Sequence, residues 1–599
     1  MSERRPITPP RSHRHPFDLP RIERPTVLLN RFQRWARSNE SVFILLATAV
    51  GALAGLLSVI QGGIARGLQH LFYGTPSGVH LSAMDRIATT SLIALPIGGL
   101  VLAGFTWATR SRKRNLVDAV EANALHGGRM TLGDSLIVSG QTIISNGFGA
   151  SVGLEAAYAQ MGAATGSIVG QWMKLRRKDL RNLVGAGTGA AIAAAFGAPL
   201  AGAFYAFEIV IGAYTPSSLA PVAAAALSGT LVAQVLGAQP YVISAQAGLP
   251  VEPHHFLVYA GLGAVCALFG ILLMLAVSQM ERLARLLPGP DWLRPAIGGC
   301  VMIPLAMWTP QALSAGHGAL YTNLAFGVPL GVLLAALAAK ALGSIVSLGF
   351  GFRGGLFFAS LFLGSLLGHA FAIILANAVG HVVIDPRNGA LVGMAALSVA
   401  VIGGPMTMAM IVLEATHDFT LTGAVLAAAL VSSTLVRETF GYSFSTWRLH
   451  LRGETVKSAR DVGWVKTLTA GSMMRREANP TPADITIAEF RRRFPLGSTS
   501  RVVLADGEGH YAGIAQPSAA YRDGIDESAE VRTIARAQDA ALKPDMDIVA
   551  VMRAFDTLGG DELAVIGPDR GVLGLVSEGY VRRRYAEEIE KAQRDLFGE

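Results

Sequence analysis

The sequence predicts an all-α polytopic membrane domain of two inverted repeats with many tilted, broken helices, followed by a small α/β tail. Three observations carry this prediction. Several apolar segments reach the ~18 residues that a helix needs to cross the hydrocarbon core of a bilayer. Gly and Pro interrupt many of these segments, which is tolerated in a membrane only where protein or a water-filled cavity covers the freed backbone groups. Finally, two glycine-containing motifs occur twice in the same order.

The apolar segments are continuous and numerous. Hydrophobic residues make up 51% of the chain and charged residues 15%, against roughly 25% charged residues in soluble domains. Continuous runs exclude a porin-like barrel, whose strands alternate in polarity, and their number excludes a single span. The segments almost free of charge include Val42–Ile60, Ile87–Ala108, Phe256–Val277, Leu324–Ala339 and Gly354–Ala376.

The distribution of charge divides the chain into three parts. Residues 1–40 form a basic arm predicted to be disordered and cytoplasmic, because nine arginines precede the first apolar segment. Residues 41–450 are predicted as the membrane domain and residues 451–599 as a cytoplasmic tail. The first apolar run starts too late for a cleavable signal peptide, and no nucleic-acid-binding fold accompanies the arm. The basic segment 174–181 is expected to be a cytoplasmic loop.

An internal repeat organises the membrane part. Residues 153–163 (GLEAAYAQMGA) can be laid over residues 355–365 (GLFFASLFLGS), an offset of 202 residues. A second pair, 197–200 (GAPL) and 403–406 (GGPM), has an offset of 206 residues, and in each half a Glu follows the Pro by nine residues. Two matches in the same order at nearly the same offset indicate duplicated halves, and an odd number of crossings in each would invert them.

Glu155 is the residue most strongly indicated for function. It follows the glycine-rich stretch 147–153 (GFGASVG) and opens an apolar helix. A helix N-terminus presents free N–H groups and a positive dipole end, which together form an anion site. A carboxylate there competes with a transported anion and leaves the site when it is protonated. The equivalent point of the other half, Gly355, begins a second helix, so we expect two helix starts to face one site.

These motifs resemble those of the CLC family of chloride channels and chloride–proton exchangers. The glycine–glutamate motif is residues 149–155 with Gln160 and Gly162, and the second-half motif is Gly354 to Phe357. The segments 198–208 and 393–414 resemble the flanking helices. The resemblance implies a homodimer in a plasma or inner membrane, with one chloride pathway per subunit and Glu155 as the external gating glutamate, which exchanges protons.

The resemblance assigns the site residues one by one. The anion-binding set that it implies is Gly149, Ser151, Gly153, Gly355, Leu356, Phe357 and Ser445, with Tyr442 as the alternative to Ser445. The expected structural set is Glu208, Glu414, Pro199 and Pro405, with both carboxylates bonded to helix ends. No metal site is expected. Lys340 is expected to extend to the membrane interface, or else to add to the field around the anion.

Several positions depart from the family's pattern. Leu154, Ala156 and Ala157 stand where Arg, Gly and Pro are usual, and Ala359 replaces a common Pro. Arg114 falls at the position of a Ser that contacts the central anion, so the central site is expected to rely more on backbone amides.

The mechanism stays open at this point. Ile209 occupies the position at which exchangers of the family carry an internal proton-transfer glutamate, which favours a channel. Water wires can replace such a side chain, so an anion–proton antiporter remains equally in view. The alternatives are a secondary transporter of another small anion and a membrane receptor or enzyme with a ligand-sensing tail. We found no catalytic cluster that would indicate an enzyme.

The tail carries a repeat of its own. Residues 502–522 resemble residues 564–583, and each predicts a strand, a tight turn, a strand and a helix. Helices are predicted at 485–493 and 548–558. The tail resembles a tandem CBS-domain pair, but Gln516, Ala519 and Tyr580 stand where nucleotide-binding members carry a hydroxyl or Asp. A dimerisation or regulatory module without a cofactor is therefore favoured over an adenine-nucleotide sensor.

Overall fold

The structure is a computed structural model. It describes residues 39–76, 78–109, 116–238, 248–325, 328–451, 468–476, 479–538, 540–558 and 561–597. The basic arm up to residue 38 and Arg114 therefore lie outside the described residues. Within the described part, residues 40–451 are helical with short connections.

The described part of the first half contains eight α-helices. They begin with a long span, and Pro occupies the first turn of the two that start at Pro199 and Pro216, where its missing N–H costs nothing. The helices are α1 Glu40–Tyr73, α2 Ala94–Ala108, α3 Ala119–Leu125, α4 Leu132–Gly147, α5 Glu155–Trp172, α6 Arg177–Phe196, α7 Pro199–Tyr205, which continues as a π-helical turn Ala206–Ile211, and α8 Pro216–Val235.

The second half repeats this series of helices. Each member follows its counterpart by about the offset that the sequence repeat predicts, and Pro again opens the helix at 405. The helices are α9 His255–Leu286, α10 Arg294–Trp308, α11 His317–Ala325, α12 Leu330–Gly349, α13 Phe357–Val379, α14 Pro386–Ile402, α15 Pro405–Thr416 and α16 Phe419–Thr439, and α17 Phe444–Leu451 then leads towards the tail.

Equivalent glycines allow equivalent helices to approach closely. Gly162 of α5 lies against the backbone of Gly187 in α6, and a Cβ at Gly162 would overlap the Gly187 carbonyl. In the second half Gly364 of α13 has the same relation to Gly393 of α14. Small residues permit such backbone contact between membrane helices. The duplicated, inverted halves predicted from the sequence are thus confirmed as a structural repeat.

Seven of the described helical segments are long and apolar enough to cross a membrane. Three shorter apolar segments, Pro199–Ile211, Pro386–Ile402 and Pro405–Thr416, fall below that length. The chain is therefore an integral, multi-pass membrane protein with broken helices in its interior. The basic segment 174–181 was predicted as a loop, which is wrong for its second part. Helix α6 already begins at Arg177, after the extended backbone of Arg176.

The tail contains two units of the same topology. In the first, β1 Thr481–Pro482 pairs in parallel with β2 Val502–Ala505, which pairs antiparallel with β3 Tyr511–Ala515. In the second, β4 Ala541–Leu542, β5 Glu562–Ile566 and β6 Val572–Ser577 are joined in the same order and sense. The tail helices are α18 Ala470–Met473, α19 Ile487–Arg493, α20 Pro517–Ala520, α21 Ile548–Leu558 and α22 Glu578–Phe597.

The two units form one small pair. The Tyr511 N–H donates to the Arg570 carbonyl between them. Val503 and Ile514 of the first unit pack with Ala564 and Leu575 of the second. The repeated strand–turn–strand–helix pattern predicted from the sequence is confirmed.

Candidate functional site

The two halves meet at the glycines that precede α5 and α13. The Gly153 N–H donates to the Gly355 carbonyl at 3.0 Å, and the Gly355 N–H donates to the Gly153 carbonyl at 3.3 Å. This reciprocal, antiparallel bridge joins equivalent residues. It brings the N-termini of α5 and α13 to one place, where free N–H groups and positive dipole ends can face an anion.

Glu155 is the first residue of α5, and its side chain is 3% exposed. The carboxylate folds back over Gly153, and a Cβ built on that glycine would overlap it. Neither carboxylate oxygen makes a hydrogen bond of normal geometry among the residues that the structure describes, although the backbone N–H groups of Glu155 and Phe358 interact with the carboxylate. Buried polar groups are nearly always hydrogen-bonded. A buried carboxylate without such a bond is therefore held in a position that suits an exchange of proton or ion rather than stability.

Lys340 of α12 lies in the same buried region. Its side chain is fully buried, and Nζ donates to Ser151 Oγ at 2.8 Å and to the Ser314 carbonyl at 2.5 Å. The expectation that Lys340 extends to the interface is therefore wrong. Two oxygens fixed by the fold hold the ammonium inside, where it is close enough to Glu155 for their charges to interact.

The predicted anion-binding residues described next lie near Glu155 and Lys340, and their backbone groups make different contacts. The Ser151 N–H donates to Ser347 Oγ and its hydroxyl accepts from Lys340, so its polar groups are engaged within the protein. Gly149 has a φ of +90°, and its carbonyl accepts from Ser314. Gly153 and Gly355 use their N–H groups in the bridge. Leu356 and Phe357 sit at the start of α13 and are buried.

A cavity of about 140 Å³ opens next to Glu155. We call it the tail-side cavity, because α17, which leads towards the tail, lines it. Two arginines, Arg353 and Arg448, face it along with Asp118 and Tyr205. The motif residues that line it are Gly355, Leu356, Phe357, Ser445 and Ile209.

Ser445 also lines a second cavity of about 210 Å³, together with Tyr442 and Glu208. Ser445 thus borders both cavities, whereas Tyr442 borders only the second among those described. Ser445 therefore lines the cavity that reaches Glu155, as its predicted place in the anion path requires. Ile209 borders both cavities as well, so an apolar side chain occupies that wall.

A further group of residues lies on the other side of Glu155. Helix α1 begins at Glu40, where Val42 packs against Met173, and ends at Tyr73. We call the side of the membrane domain at which α1 ends, near Tyr73, the far side. His317, at the start of α11, has its Nε2 3.9 Å from Glu155 Oε1. Its ring lies 3.8 Å from that of Phe358, centroid to centroid.

Glu208 and Glu414 form a reciprocal pair of caps between the halves. Glu208 accepts hydrogen bonds from the N–H groups of Met406 and Thr407 and from the Thr407 hydroxyl, at 3.1, 2.9 and 2.7 Å. Glu414 accepts from the N–H groups of Leu200 and Ala201, at 2.9 Å each. Each carboxylate therefore covers the free amides of the helix that Pro405 or Pro199 opens in the opposite half.

Sequence reasoning missed four residues of the site: Arg353, Arg448, Tyr205 and His317. Arg353 directly precedes the second-half glycines, which was the available signal. Tyr205 lies between Pro199 and Glu208 in a segment already singled out. No pattern in the sequence marked Arg448 or His317, because the fold alone brings the ends of α17 and α11 to this place.

Comparison with known proteins adds independent findings. The family described as "Voltage gated chloride channel" matches residues 98–437, which is more than half of the chain. The voltage-gated ClC-type chloride channel ClcB of Escherichia coli is 26% identical over 406 residues, covering 66% of this chain and 95% of that protein.

Two solved structures share the fold. A slow cyanobacterial Cl⁻/H⁺ antiporter superimposes with a TM-score of 0.60 and 21% identity, over 68% of this chain and 97% of that one. A eukaryotic CLC transporter does so with a TM-score of 0.58 and 18% identity, over 92% of this chain and 98% of that one. The second likeness extends beyond the membrane helices into the tail.

Proposed function

This chain belongs to the voltage-gated chloride channel family, and from that premise we propose that it moves chloride across a membrane with Glu155 as the gate. One observation carries the gating role. The Glu155 carboxylate is buried at the meeting point of two helix N-termini, and neither of its oxygens makes a hydrogen bond of normal geometry in the described structure. A negatively charged group in that position occupies the place that suits an anion.

The gate works by competition. While Glu155 is ionised, its carboxylate fills the site next to the starts of α5 and α13 and excludes chloride. Protonation removes the charge, so the side chain is no longer held by the positive ends of the helices and rotates away. Chloride then takes its place.

The surroundings support this path. Arg353 and Arg448 line the tail-side cavity and raise the local concentration of anions there. Helix starts with backbone amides and one buried ammonium, Lys340, stabilise an anion without trapping it. Because Ser151 is bonded to Lys340, we infer that backbone amides supply most of the direct contacts.

Two mechanisms, a channel and an anion–proton exchanger, are compatible with this gate. Ile209 on the wall of both cavities carries no proton, which favours a channel. The tail-side cavity, which is lined by Glu155, has room for a water wire to the gate and supports an exchanger equally. The solved structure of similar fold is described as a Cl⁻/H⁺ antiporter, whereas the sequence relative is described as a channel.

Flux from liposomes separates the two mechanisms. The purified protein is reconstituted with a chloride gradient, and external pH is recorded with and without a proton ionophore. Proton movement against its gradient, driven by chloride, identifies an exchanger, whereas chloride efflux without proton movement identifies a channel. Glu155→Ala should abolish the coupling and the pH dependence of flux. Unchanged pH-dependent flux in this variant would refute the gating role, and Glu414→Gln serves as the control carboxylate.

The assembly and orientation are part of the proposal. We infer a homodimer in a plasma or inner membrane, with the basic arm and the tail in the cytoplasm, following the positive-inside rule. The lipid surrounds the exposed apolar faces of α1, α8 and α9, on which Leu45, Leu231 and Leu257 are exposed.

The tail is proposed as a CBS-like dimerisation or regulatory pair that works without a cofactor. Ala519 is buried and Tyr580 is part of α22. Neither side chain has a carboxylate that could bind a ribose. Addition of ATP or AMP should leave the thermal unfolding of the full protein unchanged. A concentration-dependent rise in Tm would refute this part of the proposal.

A further inference from the structure

Two histidines lie in line between Glu155 and the far side. His317 Nε2 is 3.9 Å from Glu155 Oε1. The rings of His317 and His80 are 5.7 Å apart, centroid to centroid. His80 in turn lines a cavity of about 420 Å³ together with Arg66 and His70. The carboxylate is thereby linked to the far-side cavity through two imidazole rings.

The two histidines have different environments, which gives the line a direction. His317 is buried, whereas His80 is half-buried at the wall of the cavity. His80 therefore contacts solvent in the cavity, and His317 contacts the gate. Imidazole is the side chain best suited to pass protons near neutral pH, because it accepts a proton on one nitrogen and releases one from the other.

Fixed charges surround this line. Lys340 interacts electrostatically with both Glu155 and His317, and Arg66 acts on His317 and His80. Arg66 repels a proton that rests on His317, which favours its transfer to the carboxylate, whereas Lys340 repels a proton on either group. On the tail side, the charges of Asp118 and Glu155 act on Tyr205.

Asp118 has a separate task on that side. Its carboxylate accepts from the Glu121 N–H and caps α3. Ile209, at the wall of the same cavity, has no ionisable group. The imidazole rings that link Glu155 to a cavity, those of His317 and His80, are thus on the far side.

We propose that His80 and His317 relay protons between the far-side cavity and Glu155. In one transfer a hydronium ion of the cavity gives a proton to one ring nitrogen of His80 and becomes water, His80 releases a proton from its other nitrogen to His317, and an N–H bond of His317 breaks as an O–H bond forms on the Glu155 carboxylate. The separation of 3.9 Å is longer than a hydrogen bond, so a small rotation of the carboxylate or one bridging water completes the contact. The relay rests on the proposed gating role of Glu155.

The test measures how fast the gate responds to pH. Liposomes containing the protein receive a rapid pH step on the far side, and chloride flux is followed by stopped flow. His317→Phe keeps a ring against Phe358 but removes the exchangeable proton. We expect the response to slow about tenfold or more in this variant, and likewise in His80→Phe, because a positioned proton carrier contributes about 10²-fold or more to transfer.

Two controls make the result specific. His70→Phe alters another histidine of the same cavity, whose Nδ1 is 2.6 Å from the Thr75 carbonyl, and should leave the response unchanged. In a Glu155→Gln background, which has no carboxylate to protonate, His317→Phe should not alter flux at any pH.

The outcomes separate the relay from the gate. An unchanged response rate in both His317→Phe and His80→Phe, with a normal Glu155-dependent pH profile, overturns the relay and leaves the gate intact. Altered flux of His317→Phe in the Glu155→Gln background also overturns the relay, since it places the histidine in the anion path or the packing. Absence of any Glu155-dependent pH response in the unmodified protein overturns both.

Discussion

Among the places where the halves of the membrane domain meet, two treat symmetry differently. At the first, Glu208 and Glu414 occupy equivalent positions and cap equivalent helices of the opposite half. At the second, Gly153 and Gly355 pair as equals, but the residues two positions later are Glu155 and Phe357. The repeat keeps its carboxylates at the first contact and has only one at the second.

This difference separates scaffold from function. A carboxylate that is present in both halves and accepts several amide hydrogen bonds satisfies helix ends, and this need is the same in each half. A carboxylate present in one half, without a hydrogen bond of normal geometry in the described structure, satisfies no such need. Its presence at the crossing of the two helix starts fits the proposed gate, a task that the whole pathway performs once.

Removing the charge at Glu155 should have the largest effect. Glu155→Gln is expected to give chloride flux that no longer varies with pH, since the variant imitates the protonated gate permanently. Chloride efflux from liposomes at pH 4.5 to 7.5, on the order of the range in which buried carboxylates titrate, measures this. Glu414→Gln should keep the pH profile, and loss of pH dependence in that control would contradict the division between the two contacts.

Removing a cap should lower stability but not alter gating. Glu208→Ala leaves two amides of α15 and the Thr407 hydroxyl without their acceptor, and the expected cost is about 2–4 kcal/mol. Glu414→Ala loses two such bonds and should cost somewhat less. Unfolding in detergent, followed by circular dichroism, gives the order. An intact Tm in both variants would show that the caps are dispensable.

Packing between equivalent helices should respond equally in the two halves. Gly162→Ala and Gly364→Ala each place a methyl group against a carbonyl of the neighbouring helix, and we expect each to cost about 1–3 kcal/mol. Gly104→Ala in α2 is the matched control, because nothing lies within 4 Å of its Cβ. It should be neutral or stabilise by up to about 1 kcal/mol. A large difference between Gly162→Ala and Gly364→Ala would argue against equivalent packing.

The smallest effect is expected in the tail. Asp506 accepts from the N–H groups of His510 and Glu508, as Glu414 does from two amides, but it lies at an exposed turn. These bonds lower the pKa of Asp506, with the His510 amide as the larger cause. Its contribution is therefore present above the unfolded pKa of about 3.9 and lost as pH falls through the folded pKa.

Asp506→Asn removes this contribution near pH 7, but the resulting fall in Tm should lie within experimental error, because solvent screens an exposed carboxylate. Differential scanning calorimetry of the full protein at pH 7 and pH 4 checks this. A drop at pH 7 as large as that of Glu414→Ala would mean that burial is not what separates the two.

The sequence predicted most of the fold and part of the site. The repeat at residues 153 and 355 identified the contact between the halves, because duplicated motifs persist in order and spacing. Apolar length identified the spans, and turn residues at 506–509 identified the strand pairs of the tail. These features are local or repeated, so they can be read from neighbours along the chain.

Partners distant in the chain were beyond such reading. Lys340 is held by Ser151 and Ser314, which lie 189 and 26 residues away. An apolar helix predicts only that Lys340 is costly there, not which oxygens compensate for it. His317 was missed for the same reason, since the approach of α11 to α5 depends on the whole arrangement of the second half.

The Gly153–Gly355 bridge also bears on how such a protein diverges over evolutionary time. Main-chain atoms alone make this contact, so neighbouring side chains are free to drift without separating the halves. Leu154, Ala156 and Ala157 are substitutions of that kind beside the gate. At the junction itself the demand on side chains is unequal, because a Cβ at Gly153 would overlap the Glu155 carboxylate whereas a Cβ at Gly355 would make only ordinary van der Waals contacts.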